Sequence, residues 1–139
     1  MHLGPVEATP LQAEGMLAFC RRLTGEARGC PEISKLNRNP RRLLAGVRYR
    51  VPYSLLTPDR KLGVIRAIFP EDVAGVEAWQ HRSRGEELSR VALWFTGESD
   101  QAAALRKANG RKDDRTKSGD TVRIPAAMLL PIFRVPEPP

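Results

Sequence analysis

The sequence predicts an α+β fold made of two small strand–helix–helix–strand units, each with two helices on a two-stranded antiparallel sheet. Three observations predict it. First, the chain repeats itself at a spacing of 72 residues: Leu23-Thr24-Gly25-Glu26 returns as Phe95-Thr96-Gly97-Glu98, and Leu36-Asn37 as Ala108-Asn109. One extra residue then shifts the spacing to 73, pairing Gly46 with Gly119 and Arg50-Val51-Pro52 with Arg123-Ile124-Pro125. Second, each copy carries a helical apolar face. Third, each closes on a short alternating run ended by proline. A unit used twice in 139 residues is a small autonomous fold with a modest core, which argues against a wide catalytic cleft in either copy.

The predicted organisation is a first copy over 1–56, a connector over 57–77, a second copy over 78–130 and a proline-rich tail over 131–139. In the first copy, Met16, Phe19, Cys20 and Leu23 fall at i, i+3, i+4, i+7, one face of a helix, and Gly25 stops it. A second helix starts at Pro31, turns Ile33 and Leu36 inward and ends at Asn37, before the Asn39-Pro40 turn. Val47 to Val51 alternates apolar and charged residues and reads as a half-exposed strand ended by Pro52. A weak opening strand is expected around Val6-Glu7-Ala8.

The connector contains Leu62, Val64, Ile65, Ala67, Ile68 and Phe69, too apolar for a flexible linker, so it is expected to pack. The second copy opens with a strand at Ala78–Arg82. Leu88, Val91, Ala92 and Phe95 repeat the helical face of the first copy. Ser83-Arg84-Gly85-Glu86 has capping-box spacing. Ser99 or Asp100 can cap the next helix, Gln101 to Ala108. Asn109-Gly110 ends it, and Thr121 to Ile124 is the closing strand. From Pro131 onward the tail is expected to be extended and solvated, the start of a linker.

Lys and Arg outnumber Asp and Glu by 23 to 16; the excess is +5 over 1–56 and +3 over 78–139, and the connector carries −1. A basic surface favours anionic partners such as nucleic acid or acidic cell-wall polymer, although a solvated face explains it equally well. No apolar run reaches the length of a membrane span, so no membrane partner is expected. The start, Met1 to Pro5, lacks signal-peptide character. The chain is therefore expected to be cytoplasmic if complete as given, and to belong to the cell envelope (periplasm or cell wall) if it is part of an exported protein. Cys20 and Cys30 have counterparts Ala92 and Ala102, which marks both as buried positions. Two buried structural thiols are the first reading; a disulfide stays open if the chain is exported. Neither cysteine has CxxC spacing or a nearby histidine, so no metal and no cofactor is expected.

Gly85-Glu86-Glu87-Leu88-Ser89, Val91-Ala92, Phe95-Thr96-Gly97, Leu105, Ala108-Asn109-Gly110 and Gly119 to Pro125 together resemble the LysM domain. That family's pattern opens on a Gly-acid-Thr-Leu turn, places Asn at the end of the second helix and closes on a Gly-x-x-hydrophobic-x-Ile-Pro strand. The likeness covers about residues 78–130; the first copy resembles it faintly, with Ala13-Glu14-Gly15-Met16 in place of the opening turn. The paired copies are also similar to the amino-terminal region of bacterial N-acetylmuramoyl-L-alanine amidases, where such modules precede a zinc-dependent hydrolase domain whose ligands are absent here. The resemblance implies non-catalytic binding of N-acetylglucosamine-containing glycan, as in peptidoglycan or chitin, with a downstream hydrolase domain or partner protein as context. Carried onto this sequence, the groove is Arg84, Gly85, Glu86, Glu87 and Leu88 on one side and Ala108, Asn109, Gly110 and Arg111 on the other. Glu87 departs from the family's Thr or Ser and puts an anion at the groove.

Each of these positions also has a structural role available. Asn109 suits helix termination. Trp94 is expected to pack on the connector and Trp79 in the core, rather than stack on sugar. His81 is read as a lone histidine with no carboxylate constellation, which argues against catalysis or metal binding. Glu86-Glu87 cannot flank one sugar from opposite faces as a glycosidase pair must, and is assigned to the helix N-terminus. Arg111-Lys112 and Arg115-Lys117, broken by Asp113-Asp114, read as a solvated turn. The competing functions are protein docking and nucleic-acid binding through the basic surface; the small charge excess and the lack of a recognised motif argue against nucleic acid.

Overall fold

A computed structural model describes residues 5–136. The chain is α+β, with five α-helices and two two-stranded antiparallel sheets among the described residues. Contacts divide it into two compact units that meet in sequence at Lys61 and Leu62. No helix among the described residues is long and apolar enough to cross a membrane.

The first unit runs β1 (Val6–Ala8), α1 (Met16–Thr24), α2 (Cys30–Leu36) and β2 (Tyr49–Val51). β1 pairs with β2 antiparallel, Glu7 opposite Arg50. Of the expected inward residues, Phe19, Cys20, Leu23 and Ile33 are buried, while Met16 and Leu36 are half-buried. Cys20 and Cys30 are bonded, joining α1 to the start of α2 with Cα atoms 5.5 Å apart. This corrects the reading of two free thiols: α2 begins at Cys30, and its first turn lies against α1. α3 (Pro58–Ile68) straddles the boundary between the units. The signal for it was Pro58, which suits a first helical turn.

The second unit contains β3 (Ala78–Arg82), α4 (Leu88–Thr96), α5 (Ala102–Ala108) and β4 (Thr121–Pro125). β3 pairs with β4 antiparallel, Gln80 opposite Arg123. The predicted face of α4 is wholly buried, and Trp94 joins it, its ring 5.7 Å from Phe69 as the expected packing on the connector requires. The tail departs from expectation. Pro131–Phe133 forms a 3-10 turn, and Phe133 is 1% exposed, seated 5.1 Å from Phe95 and 5.4 Å from Trp79. An aromatic side chain has more to gain from that cluster than from water. The residues Glu137, Pro138 and Pro139, like Met1 to Gly4, lie outside the described residues.

The repeat recurs at the level of single hydrogen bonds. In the first unit, Asn37 Nδ2 donates to the carbonyls of Ile33 and Arg50 (2.7 and 2.8 Å), while its Oδ1 accepts from Arg50 N at 2.7 Å. Asn109 makes the same three bonds to Leu105, Arg123 and Arg123 at 2.8, 2.9 and 2.7 Å. The hydroxyls of Thr24 and Thr96 each donate to the carbonyl four residues back, at 2.8 and 2.7 Å. Left-handed backbone also falls at matched positions: Ala13 with Gly85, Gly25 with Gly97, Arg38 with Gly110, Gly46 with Gly119.

Candidate functional site

The two loops implied by the resemblance lie at the same end of the helix pair. The short connection 97–101 folds α5 back against α4, so the start of α4 meets the end of α5. Asp114 ties them. Its carbonyl accepts from Leu88 N at 2.8 Å, and its carboxylate pairs with Arg106 in the last turn of α5. The amide of Leu88, at the helix start, is thus already engaged.

Within the first loop, Arg84, Gly85 and Glu87 are exposed, whereas Glu86 and Leu88 are 3% and 0% exposed. The capping box does not form: α4 starts at Leu88, with Glu87 at its N-cap position and no side-chain cap. Glu86 instead turns inward. Its Oε2 accepts from Ser83 Oγ at 3.1 Å and from Arg84 N, and its Oε1 faces His81 Nε2 at 2.8 Å. This corrects its assignment to the helix terminus; a carboxylate two residues past a free amide closes a tight local turn more readily than it reaches along the helix. The Arg84 guanidinium lies 5.2 Å over the Phe69 ring and donates to the Ile68 carbonyl at 2.5 Å.

In the second loop, Ala108 and Gly110 are exposed, while the side chain of Asn109 is fully committed to the backbone of α5 and β4. Arg111 pairs with Asp120 at 3.0 Å and donates to the Arg115 carbonyl at 3.3 Å. The basic run 111–117 therefore satisfies itself in part, as the solvated-turn reading expected. A cleft of about 520 Å³ opens beside the first loop, bounded by Phe69, Glu71, Arg82, Arg84 and Ser118.

His81 is the largest departure from the sequence. Far from lacking carboxylates, it is sandwiched between two: Nδ1 lies 2.8 Å from Asp72 Oδ2 and Nε2 lies 2.8 Å from Glu86 Oε1, with all three side chains at most 1% exposed. Asp72 also accepts from Trp79 Nε1 at 2.9 Å and Arg82 N at 2.8 Å. A two-residue antiparallel bridge, Val73 with Gln80, folds the segment before β3 back onto it and delivers Asp72 to that place. Gly75 permits the bend, since a Cβ there would sit 2.8 Å from the Ala78 carbonyl oxygen. Phe69 walls the imidazole edge-on at 4.7 Å.

Both ring nitrogens face carboxylate oxygens, so both carry protons and the ring is an imidazolium. Burial pulls its pKa down, but the hydrogen bonds and charges of Asp72 and Glu86 outweigh burial and raise it above the ordinary histidine value. Burial pushes Glu86 up, and the bonds from His81 and from backbone amides overcome that and hold it down at about 2. The ring nitrogens point in opposite directions, each to one carboxylate, so the geometry is that of hydrogen bonds and not of a shared ligand point. Asp72, His81, Ser83 and Thr116 were missed as a group. The available signal was that His81 alternates with Trp79 on β3, which puts both on its inner face, and a buried histidine needs partners.

Comparison of the chain with protein-family models, with curated proteins and with solved structures finds no match in any of the three.

Proposed function

We propose that the chain is a non-catalytic module for N-acetylglucosamine-containing glycan, peptidoglycan first, built from two LysM-like units of which the second carries the site. The observation that carries this is the pair of exposed left-handed glycines, Gly85 at φ 100° and Gly110 at φ 61°, one on each loop at the same end of the helix pair, with open space where a Cβ would stand at both. A sugar can approach the backbone closely there, and an N-acetyl group needs one donor, one acceptor and an apolar niche. Arg84, Gly85, Glu87, Ala108 and Gly110 offer the contact; Glu86, Leu88 and Asn109 hold the loops in shape from inside. Such a module anchors a cell-wall protein or an associated hydrolase. A single shallow site binds weakly, and avidity follows only if several sites engage together.

The test is retention of the folded chain on purified, nucleic-acid-free cell wall at moderate salt. Retention that survives added salt supports glycan binding; no retention of a folded sample defeats it. Binding through the basic surface, to nucleic acid or an acidic protein, would instead fall steeply with salt.

A further inference from the structure

We propose that Asp72, His81 and Glu86 form a proton-operated latch on the turn 83–87: with the imidazolium in place the turn is held against β3, and loss of that proton releases it. The latch stands on geometry alone. Its consequence for sugar binding rests on the glycan reading above.

Backbone bonds fix the two ends of the turn, Ser83 to Gly119 and Asp120 and Leu88 to Asp114, and between them one carboxylate ties it to the imidazole of β3. Glu86 reaches His81 with Oε1 and Ser83 Oγ and Arg84 N with Oε2. Ser83 Oγ in turn accepts from Gly85 N at 2.9 Å and lies 2.5 Å from Thr116 Oγ1, which lies 2.6 Å from the Glu86 carbonyl; the two hydroxyl hydrogens serve two of the three contacts that Ser83 and Thr116 make with each other and with Glu86. A chain of short bonds thus runs from the imidazolium through Glu86 into both the turn and the loop that faces it. The groups facing His81 are few. Asp72 comes from the segment before β3 and Glu86 from the turn; Phe69, Trp94 and Phe95 supply uncharged rings, and Val122 is its partner across the sheet. The Arg84 guanidinium stacks on the same Phe69 ring.

Once the ring is neutral it has one N–H for two carboxylates. Asp72 keeps two other donors, Trp79 Nε1 and Arg82 N, and sits on a segment clamped by the Val73–Gln80 bridge. Glu86 sits on a turn whose neighbours Arg84, Gly85 and Glu87 are exposed. The remaining proton therefore stays on Nδ1 with Asp72. The Nε2 lone pair then faces an ionised Glu86 that keeps Ser83 Oγ and Arg84 N but has lost its cation, and this buried charge leaves by swinging outward with the turn. The raised pKa of His81 places the release on the alkaline side of the ordinary histidine value.

The experiment follows the whole chain by NMR between about pH 5 and about pH 9, reading the His81 ring and the exchange protection of the Arg84 and Gly85 amides. The expected result is a protection factor at both amides that falls roughly tenfold as the ring titrates, while Leu11 N, bonded to Glu14 in the first unit, keeps its protection. Glu86→Gln supplies an amide that donates to the neutral ring, so its turn should stay protected across the range. Protection that does not follow the titration of His81, or a ring that does not titrate by about pH 9, overturns the latch. Repeating the series with a chitin oligomer separates the two readings. No binding at any pH, with the protection change intact, defeats the glycan reading and leaves the latch standing.

Discussion

Asn37 and Asn109, 72 residues apart, make the same three hydrogen bonds; Arg22 and Trp94, at the same spacing, sit in opposite environments. Trp94 is buried among Phe69 and His81, whereas Arg22 reaches out over the Phe19 ring to Glu14 and the Thr9 carbonyl. The caps and clasps that fix the chain path are kept, and what fills the space between them has changed. The second unit fills it with aromatic rings. The first has fewer of them and ties α1 to α2 by a disulfide where the second has Ala92 and Ala102. The inward acid is also kept, Glu14 matching Glu86, but its cation differs: a quarter-exposed arginine from α1 in one unit, a buried histidine from β3 in the other. Both tryptophans lie in the second unit and both described tyrosines in the first, so fluorescence reads the two separately.

The largest difference is expected at the acids. Glu86→Ala strands the buried Nε2–H of His81 without an acceptor and removes the bonds to Ser83 and Arg84, and should cost the second unit about 3–5 kcal/mol in urea unfolding followed by tryptophan emission. Glu14→Ala should cost the first unit clearly less, because Arg22 can turn to water. Equal losses would mean the two acids are equivalent. Proton titration draws the same contrast. The pKa of His81 is raised on folding, so its contribution is complete below the ordinary histidine value and is lost as pH rises through the folded value. The pKa of Glu86 is held at about 2, so its contribution is present above the ordinary glutamate value and lost as pH falls toward that value. The second unit should thus be most stable between about pH 4.5 and about pH 6.5 as far as this cluster is concerned. Arg22 keeps its proton far beyond that range, its pKa raised by the hydrogen bonds it donates to Glu14, so the first unit should show no such alkaline decline.

Next in size is the disulfide. It closes a separation of 10 residues, for which loop-closure entropy gives about 2–3 kcal/mol. Reduction, or Cys20→Ala with Cys30→Ala, should shift the tyrosine-reported transition and leave the tryptophan-reported one in place. A shift in both would mean the units unfold as one.

The asparagines should instead erase the difference. Asn37→Ala and Asn109→Ala each remove three bonds and strand backbone groups, so each unit should lose about 2 kcal/mol. This is where the sequence was most readable. Repeat spacing located both asparagines, both helix-stopping glycines and all four strands, because each of these is a local event: a cap, a turn, an alternation. His81 was legible only as a residue on a strand face. Its partners lie nine residues before it and five after it, brought in by a bridge at Val73 and by a turn that no propensity announces. Phe133 failed for the opposite reason. Its prolines signal an extended tail, and only the rings of Trp79 and Phe95 explain why the ring goes in. The nine loop residues lie at one end of the helix pair, and which of them face outward was decided by the inward turn of Glu86.

The smallest expected effect separates backbone from side chain. Ala13 sits at φ 62°, where its counterpart Gly85 sits at φ 100°. An L residue in left-handed backbone pays for contact between its Cβ and the chain, so Ala13→Gly should stabilise the first unit by about 0.5–1 kcal/mol once the added freedom of the unfolded glycine is set against the gain. The reverse change, Gly85→Ala, should cost the second unit more than Ala13→Gly returns to the first. A Cβ there meets nothing within 4 Å, so no clash contributes, but φ 100° lies well outside the small well near +57° that L residues tolerate. The turn would relax toward that well and draw Glu86 off His81. If Gly85→Ala instead proves neutral, the turn is free to adjust without loosening the buried cluster, and the contrast between the two opening turns is one of sequence alone.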